Sequence, residues 1–505
     1  MAGTVTQSEV IVVGAGPTGL LLAGDLAAAG VAVTVLEQRS EESNLTRAFG
    51  VHARTLEQLD ARGLADELIA TGRTIAGLRA FGSLQVDMSE LPTRFPFVLI
   101  TPQSNTERLL HERALKAGAV IRRGHRVTGL RQDADGVLLT VETPDGTADH
   151  RAGYVVGTDG VHSTVRELAG IPFPGESVVS SMELADVRLA DEPAGAISTG
   201  ASADGFALVA PFGDGWYRLM AWDRNRQLPD GEPVEIEQLT ETASRALGTD
   251  LGVREVRWVS RLHCDERIAP RYRADRVLLA GDAAHCHSPA GGMGMNTGLQ
   301  DAANLGWKLA SVVNGHSPDS LLDSYQDERH PVGRQVVRAS GGLIRMALAQ
   351  SSGLRALRSV VGGLGGVVNP LAVRGARTVS GIGIQYPAER GAHPLAGKRV
   401  PDLRLAQDSP QAPARLYEAL RAGRFVLVNA DERGPGTVFT AQQPEVTAPW
   451  EDRLVHAAPA DRHGKLRATV LLVRPDGYAA WAAADPSRAE LRRALAHWLG
   501  ETDAA

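Results

Sequence analysis

The chain opens on a β-branched run, Glu9–Val13, followed by a glycine-rich turn and an Ala/Leu stretch, Leu20–Ala29. Gly30 stops that stretch and Val31–Leu36 is again β-branched, so the pattern predicts strand, helix, strand at the start of the chain. Thr55–Asp60, Ala65–Ala70 and Arg108–Ala117 have helical spacing. Val137–Val141 and Gly146–Ala152 alternate around Pro144-Asp145-Gly146, which predicts a hairpin, and Tyr154–Gly157 reads as a buried strand. From Ile171 to Arg273 the texture changes. Strand-like runs at Ser181–Leu189, Gly205–Ala210 and Trp216–Trp222, with one helix at Val234–Ala246, predict a mostly antiparallel sheet and hence a separate lobe. Arg276–Ala280 returns to a buried strand, Gly281–Gly298 is glycine-rich, and Leu299–Val313 and Leu321–Ala349 are helical until the Gly353–Gly366 stretch weakens the pattern. After a Pro/Gly/basic boundary at His393–Asp402, strands at Phe425–Val428 and Ala468–Val473 and a helix at Ala489–Leu499 predict a small α/β module.

Composition narrows the class. In 505 residues, 53 Lys+Arg stand against 59 Asp+Glu, a net charge of −6, with 43% hydrophobic and 22% charged residues. That is the balance of a globular protein with a large core, and it argues against nucleic acid as the main partner. The uncharged runs Val10–Gly24 and Ser359–Val373 fall short of the ~18 apolar residues of a membrane helix. The first residues carry no basic signal-peptide region. Cys264 and Cys286 are too distant for a redox pair and fit a reducing compartment. A cytoplasmic protein with no membrane and no nucleic-acid partner is expected, as a monomer or homodimer.

The turn Gly14-Ala15-Gly16-Pro17-Thr18-Gly19 fits G-x-G-x-x-G between strand and helix, with Glu37 at the end of the second strand. Gly14 permits the tight turn, Gly16 lets the backbone approach a pyrophosphate, and Gly19 lets helix and strand pack closely. The free N–H groups of the helix start favour phosphate, and Glu37 can accept from ribose hydroxyls. An acid at that position disfavours a ribose 2′-phosphate, which leaves NAD or FAD as the resident dinucleotide. Two later segments follow strands: Asp159-Gly160 running to Ser163 and Arg166, and Gly281-Asp282-Ala283-Ala284-His285 running through Pro289, Gly292, Gly294, Met295 and Asn296 into a helix. An aspartate at a strand end facing a glycine-rich helix start can hold a polyol through the carboxylate and a polar ring edge through backbone N–H groups.

On these three segments, in this order, the chain resembles the class A flavoprotein monooxygenases, of which p-hydroxybenzoate hydroxylase is the type member. Within them it is most similar to the FAD-dependent hydroxylases of aromatic polyketides. Arg47-Ala48, His52–Thr55, Pro102-Gln103 with Glu107, Ser324-Tyr325 with Glu328-Arg329, and Arg474–Gly477 extend the likeness nearly end to end. The resemblance implies an α/β fold: a Rossmann-like FAD-binding domain (1–172 and 275–392), a β-sheet substrate lobe (173–274), and a thioredoxin-like C-terminal domain (393–505) that is redox-inert for want of CxxC.

By the same resemblance, Gly14–Gly19, Glu37 and the adjoining Gln38 would hold the ADP half of FAD. Arg47 and Gln103 would contact the pyrophosphate and ribityl region, Val127 the adenine side and Asp282 the ribityl chain. Pro289, Gly292, Gly294, Met295 and Asn296 would edge the isoalloxazine, and Asp159 and Arg166 would serve FAD and a passing nicotinamide. NAD(P)H, more often NADPH in the family, would be co-substrate. A small aromatic and O2 would react through a C4a-hydroperoxyflavin, with no protein nucleophile and no metal; the His285-Cys286-His287 run lacks further ligands. The implied function is hydroxylation of a polycyclic aromatic of antibiotic biosynthesis. Alternatives are antibiotic inactivation of a rifamycin- or tetracycline-type molecule, Baeyer–Villiger oxygen insertion, a flavin oxidoreductase that uses no oxygen, or a flavin-binding partner without turnover. In the lobe, Phe206, Trp216, Tyr217, Trp222 and Trp258 are expected in the core or as a substrate wall; Arg218 on the same strand could meet a phenolate, but solvent exposure is the commoner fate and is expected.

Overall fold

The computed structural model describes residues 6–41, 48–80, 84–191, 193, 197–202, 204–229, 232–347, 370–407, 409–429, 444–460 and 469–501. Arg47 and the Gly353–Gly366 stretch lie outside the described residues. Among those described, the strand Thr6–Val13 sits inside an eight-stranded sheet, parallel to Val33–Glu37 on one side and to Gly146–Gly157 on the other. Val277–Leu279 runs parallel to the far end of Gly146–Gly157. The carboxyl ends of these parallel strands therefore gather the glycine turn, the Asp159 segment and the Asp282 segment on one edge, where open α/β sheets bind ligands. Val10, Ile11, Val12, Val155, Val156 and Leu278 are fully buried, as a sheet covered on both faces requires.

The 20-residue helix Gly294–Val313 packs against Pro17–Ala28, and Asp323–Ala347 follows it. Gly306 makes room for Asp25: a Cβ there would lie 3.1 Å from the Asp25 Cβ. No helix among the described residues is long and apolar enough to cross a membrane.

The lobe is a six-stranded sheet in which Gly175–Leu189 pairs antiparallel with Tyr217–Asp223 and with Val253–Ile268. Its last strand, His285–Cys286, comes from the glycine-rich segment beyond residue 275 and pairs with Arg267 and Ile268. Period-2 alternation splits the sheet into two faces. Ala185, Val187, Leu219 and Ala221 pack with Leu239 and Ala243 of the helix Ile236–Leu247. The opposite face carries three cross-strand pairs in register: Met182 with Trp222, Leu184 with Met220, and Asp186 with Arg218.

In the C-terminal module Phe425–Asn429 runs parallel to Leu454–Ala457 and antiparallel to Thr469–Val473, which pairs with Ala479–Ala484 before the helix Arg488–Leu499. This order and these directions are those of a thioredoxin-like sheet. Ser487 and Glu490 form a reciprocal cap at the start of that last helix.

Candidate functional site

Gly14 has φ +104, and a Cβ there would lie 2.6 Å from the Thr158 carbonyl oxygen. A Cβ on Gly19 would lie 2.0 Å from the Gly14 carbonyl oxygen and 2.5 Å from Thr158 Oγ1. Those two glycines are demanded by the protein itself. Gly16 is different: nothing lies within 4 Å of where its Cβ would be. It leaves open the approach to the helix Pro17–Ala28, whose start has Pro17 in its first turn, no side-chain cap and no acid. That is the arrangement an anion needs, since the uncapped N–H groups and the dipole both favour negative charge.

Glu37 closes the turn. Its Oε2 accepts from Ala15 N–H at 2.8 Å, and its Oε1 accepts from Arg39 N–H and Nε–H, both at 2.9 Å. Burial acts to raise this carboxyl, but the hydrogen bonds from Arg39 and Ala15 win and hold it below the ordinary carboxylate range. Gln38, next along, is exposed. Beside the turn is a cavity lined by Ala15, Leu20, Arg39, Ser104, Glu107 and Arg123, among others. Gln103 starts the helix Gln103–Ala117, accepts from Ala48 N–H at 2.9 Å and donates to Glu107 at 2.7 Å. It thereby fixes the chain next to Arg47. Val127 is buried in the strand Arg126–Asp133.

Thr158 binds the loop directly, donating to the Val13 and Gly14 carbonyls at 2.8 and 3.0 Å. Asp159 serves its own segment: it accepts from Ser163 Oγ at 2.5 Å and from Val165 N–H at 3.1 Å, and so stabilises the start of the short helix Thr164–Leu168. Arg166 donates to the carbonyls of Ala283 and Val161 and lies 3.9 Å over the Phe173 ring. The Asp159 segment thus connects the first glycine loop to the Asp282 segment.

Thr18 completes the junction. A Cβ on Gly281 or Gly298 would approach its Oγ1 to 2.8 or 2.4 Å. Asp282 is exposed at the strand end, and Pro289, Gly292 (φ +61) and Met293 lead into the helix at Gly294. That helix too begins without a side-chain cap or an acid in its first turn. Asn296 places it: its Nδ2 donates to Gly50 and Gly292 carbonyls at 2.8 and 2.7 Å, and its Oδ1 accepts from His52 N–H at 2.8 Å. Its side chain is committed to scaffold, so the groups it offers a ligand are on the backbone. Met295 packs against the core of the parallel sheet.

A dinucleotide fits these residues. There are two uncapped helix starts, one beside an open Gly16 and one flanked by glycine, with the Glu37 and Asp282 carboxylates between strand ends and helices. The sequence reasoning missed what supports them. Asp301 lies fully buried under the second helix start, accepting from Gly281 N–H at 3.1 Å and Arg329 Nε at 2.6 Å, with His285 Nε2 at 2.6 Å. Glu328 takes both forks of Arg474 at 2.7 and 2.9 Å, Lys308 at 2.8 Å and Asn304 at 2.6 Å. Arg54 reaches the Asp476 carbonyl at 2.5 Å and Tyr417 at 2.7 Å. Arg54, Glu328, Arg329, Arg474 and Asp476 come from the scattered family-like stretches and meet here, with Asp301, Lys308 and Tyr417, in a buried network.

Burial raises the Glu328 carboxyl, but Arg474 and Lys308 hold it far below its ordinary 4.5; Asp301, buried but facing Arg329 and His285, is likewise lowered from 3.8. Both groups bind fewer protons folded than unfolded. Their stabilisation is complete above the unfolded values and is lost as pH falls through the folded ones. Thermal stability should therefore fall progressively below about pH 4.5, with Glu328→Gln flattening that acid limb; an unchanged limb in the variant would contradict the assignment.

In the lobe Arg218 is not exposed but fully buried. The cause is its register partner: Nε donates to Asp186 Oδ1 at 2.7 Å, and the guanidinium lies 5.0 to 5.6 Å from the rings of Trp258, Phe212 and Phe49. Phe206 and Trp222 are buried, whereas Trp216, Tyr217 and Trp258 are half-buried. Met182, Leu184, Met220 and Trp222 cluster with Phe49 and with Ala290 of the glycine-rich segment. One face of the lobe sheet is therefore turned towards the second helix start.

Residues 7–340 match the family described as FAD binding domain, and residues 393–502 the family described as aromatic-ring hydroxylase, C-terminal. The chain is 39% identical to the 12-dehydrotetracycline 5-monooxygenase/anhydrotetracycline 6-monooxygenase of Streptomyces rimosus subsp. rimosus, over 97% of this chain and 99% of that one. It is equally 39% identical to a rifampicin monooxygenase of Streptomyces venezuelae, over 98% of this chain and 99% of the relative. The solved structure of an aromatic hydroxylase from angucycline biosynthesis superposes with a TM-score of 0.85 at 38% identity, covering 98% of this chain and 99% of that chain.

Proposed function

The chain belongs to the FAD-dependent aromatic-ring hydroxylases, and from that premise we propose that it uses NAD(P)H and O2 to hydroxylate a polycyclic aromatic of polyketide type. The observation that carries the substrate class is the lobe face. Met182, Trp222, Leu184 and Met220 form an apolar face with Phe49 and Ala290 packed against it, and the buried Asp186–Arg218 pair continues it in register. Such a wall suits a fused-ring ligand, and a charge pair at one end fixes which way round it lies.

Gly14–Gly19, Glu37 and Gln38 would hold the ADP half of FAD, Arg47 and Gln103 would contact the pyrophosphate and ribityl region, Val127 the adenine side and Asp282 the ribityl chain. Pro289, Gly292, Gly294, Met295 and Asn296 would edge the ring, with Asp159 and Arg166 acting through the segment they brace. Bound FAD supplies the redox chemistry, taking reducing equivalents from NAD(P)H and activating O2. The chain's own residues bind, orient and shield. The N–H groups of Gly294, Met295 and Asn296 lie in the first turn and are free of intrahelical bonds, so they stabilise negative charge on a ring edge placed there. The Met182–Trp222 wall excludes water from the reacting face. Arg218, kept buried by Asp186, attracts a phenolate oxygen and so favours the electron-rich form of the substrate ring.

NADPH oxidation with a panel of anthraquinone, angucycline, tetracycline and rifamycin compounds, with product masses, tests the reading. Stimulated oxidation with a gain of one oxygen atom on a fused-ring phenol is expected; no stimulation by any of the panel would refute it. The likeness to a rifampicin monooxygenase favours one second reading, inactivation of an antibiotic. Loss of antibacterial activity in the rifamycin or tetracycline product separates the two. Asp282→Ala should weaken FAD binding by about tenfold or more, since a charged hydrogen bond is worth about 1.5–3 kcal/mol. Full flavin retention after gel filtration would refute the role of Asp282.

A further inference from the structure

Glu37 is the carboxylate placed to meet the adenosine ribose, yet its side chain is only 5% exposed. Four donors already surround it. Oε2 accepts from Ala15 N–H at 2.8 Å and from Arg39 Nη2 at 3.2 Å; Oε1 accepts from Arg39 N–H and from Arg39 Nε, both at 2.9 Å. An ionised carboxylate offers about four acceptor positions, so none is left for a ribose hydroxyl. Two of the four donors are backbone groups and stay where the chain puts them. The other two belong to a single guanidinium, with one bond to each oxygen, on a side chain that is 38% exposed. What covers Glu37 on that side is therefore a long side chain with solvent to move into.

The chemistry of that side chain indicates what it stands in for. Nε–H and Nη2–H form a planar fork, one donor for each carboxylate oxygen. The vicinal 2′- and 3′-hydroxyls of a ribose are likewise two adjacent donors. A second carboxylate, Glu107, lines the same cavity as Arg39 and accepts from Gln103 at 2.7 Å. Burial raises the Glu107 carboxyl, so a cation drawn closer stabilises its charged form. We propose that Arg39 is a displaceable occupant of the ribose seat: its fork holds the two Glu37 positions that adenosine's vicinal hydroxyls take, and the guanidinium turns towards Glu107 when the cofactor enters. The inference rests on the FAD reading above and adds to it a residue that sets affinity and selectivity. A ligand presenting both hydroxyls replaces both lost bonds, whereas one with its 2′-hydroxyl masked leaves a Glu37 oxygen short of a donor.

Affinities of the full chain, followed by flavin fluorescence, are compared for wild type, Arg39→Met, Glu107→Gln and the double variant. The ligands are FAD, FMN, which lacks the adenosine half, and an FAD analogue without the 2′- and 3′-hydroxyls of the adenosine ribose. Arg39→Met keeps most of the side chain's length and removes the fork. It should bind FAD about tenfold more tightly than wild type, the gain expected if the fork leaves Glu37 free in about one molecule in ten. FMN should bind both proteins alike, and so should the dideoxy analogue, which offers Glu37 no donor. Glu107→Gln should weaken FAD about threefold in wild type and have no effect in Arg39→Met. A merely structural arginine would change stability without tightening one ligand alone. Weaker FAD binding in Arg39→Met makes the guanidinium a direct ligand and overturns the proposal; equal affinity overturns it too, as does a gain that persists with the dideoxy analogue. Equal losses from Glu107→Gln with and without Arg39 overturn the move to Glu107. If Arg39→Met does not fold, Arg39→Lys, which keeps the charge but cannot fork, should still tighten FAD by about threefold, and no gain there overturns the proposal instead. Wild type that binds neither FAD nor FMN overturns the cofactor reading, and this proposal falls with it; wild type that binds FAD with no gain in Arg39→Met overturns this proposal alone.

Discussion

Gly19→Ala should abolish flavin retention and lower stability together. The added methyl would lie 2.0 Å from the Gly14 carbonyl oxygen, an atom that cannot move without opening the turn that Thr158 ties down. The helix Pro17–Ala28 must then shift off the sheet, taking its N–H groups away from the pyrophosphate position. We expect FAD binding weaker by more than about 100-fold, on the order of 3 kcal/mol. Gly16→Ala provides the contrast. Its methyl meets no protein atom within 4 Å, so melting of the flavin-free protein should be unchanged while FAD binding falls. If Gly16→Ala bound FAD as wild type does, the pyrophosphate would not pass there and the site as drawn would be wrong.

Glu328→Gln should be the most destabilising single change in the buried network. The carboxylate neutralises Lys308 and Arg474, whose side chains are 0% and 2% exposed. Without it Lys308 loses its carboxylate partner, while Arg474 keeps Asp476; leaving a buried charge uncompensated costs about 3–5 kcal/mol. The apparent Tm should fall on the order of 10 °C. Lys308→Met in the same chain should restore part of the loss, because the stranded charge is then gone. By comparison, the exposed pair Arg126–Glu142 should contribute less than about 1 kcal/mol, and Arg126→Ala should leave Tm nearly unchanged. Equal shifts for Glu328→Gln and Arg126→Ala would show that the network is not holding the C-terminal module to the FAD domain.

What the sequence made readable was whatever is local. The glycine turn, the acid after the second strand and the Asp282 segment each carry their meaning within a few residues, and strand alternation located the lobe. What it hid depends on residues far apart in the chain. Arg218 looks like a surface arginine until Asp186, 32 positions earlier, is placed opposite it. Arg474 and Glu328 are 146 positions apart, so no spacing rule joins them. The signal available was indirect: charged residues embedded in apolar helices, such as Asp301 and Lys308, are costly unless paired, and each implies a partner somewhere. The resemblance puts Asn296 at the ring edge, but its side chain is occupied with His52, Gly50 and Gly292, an arrangement that appears only once the segments are folded together.

The pairing of His285–Cys286 with Arg267 and Ile268 has an engineering consequence. A chimera that exchanges lobes between relatives at residues 173 and 274 would cut the sheet before its final strand and set a foreign edge against the native segment. Swapping specificity therefore calls for exchanging His285–Cys286 together with the lobe, while Val277–Leu279 and Asp282 stay with the recipient's own parallel sheet.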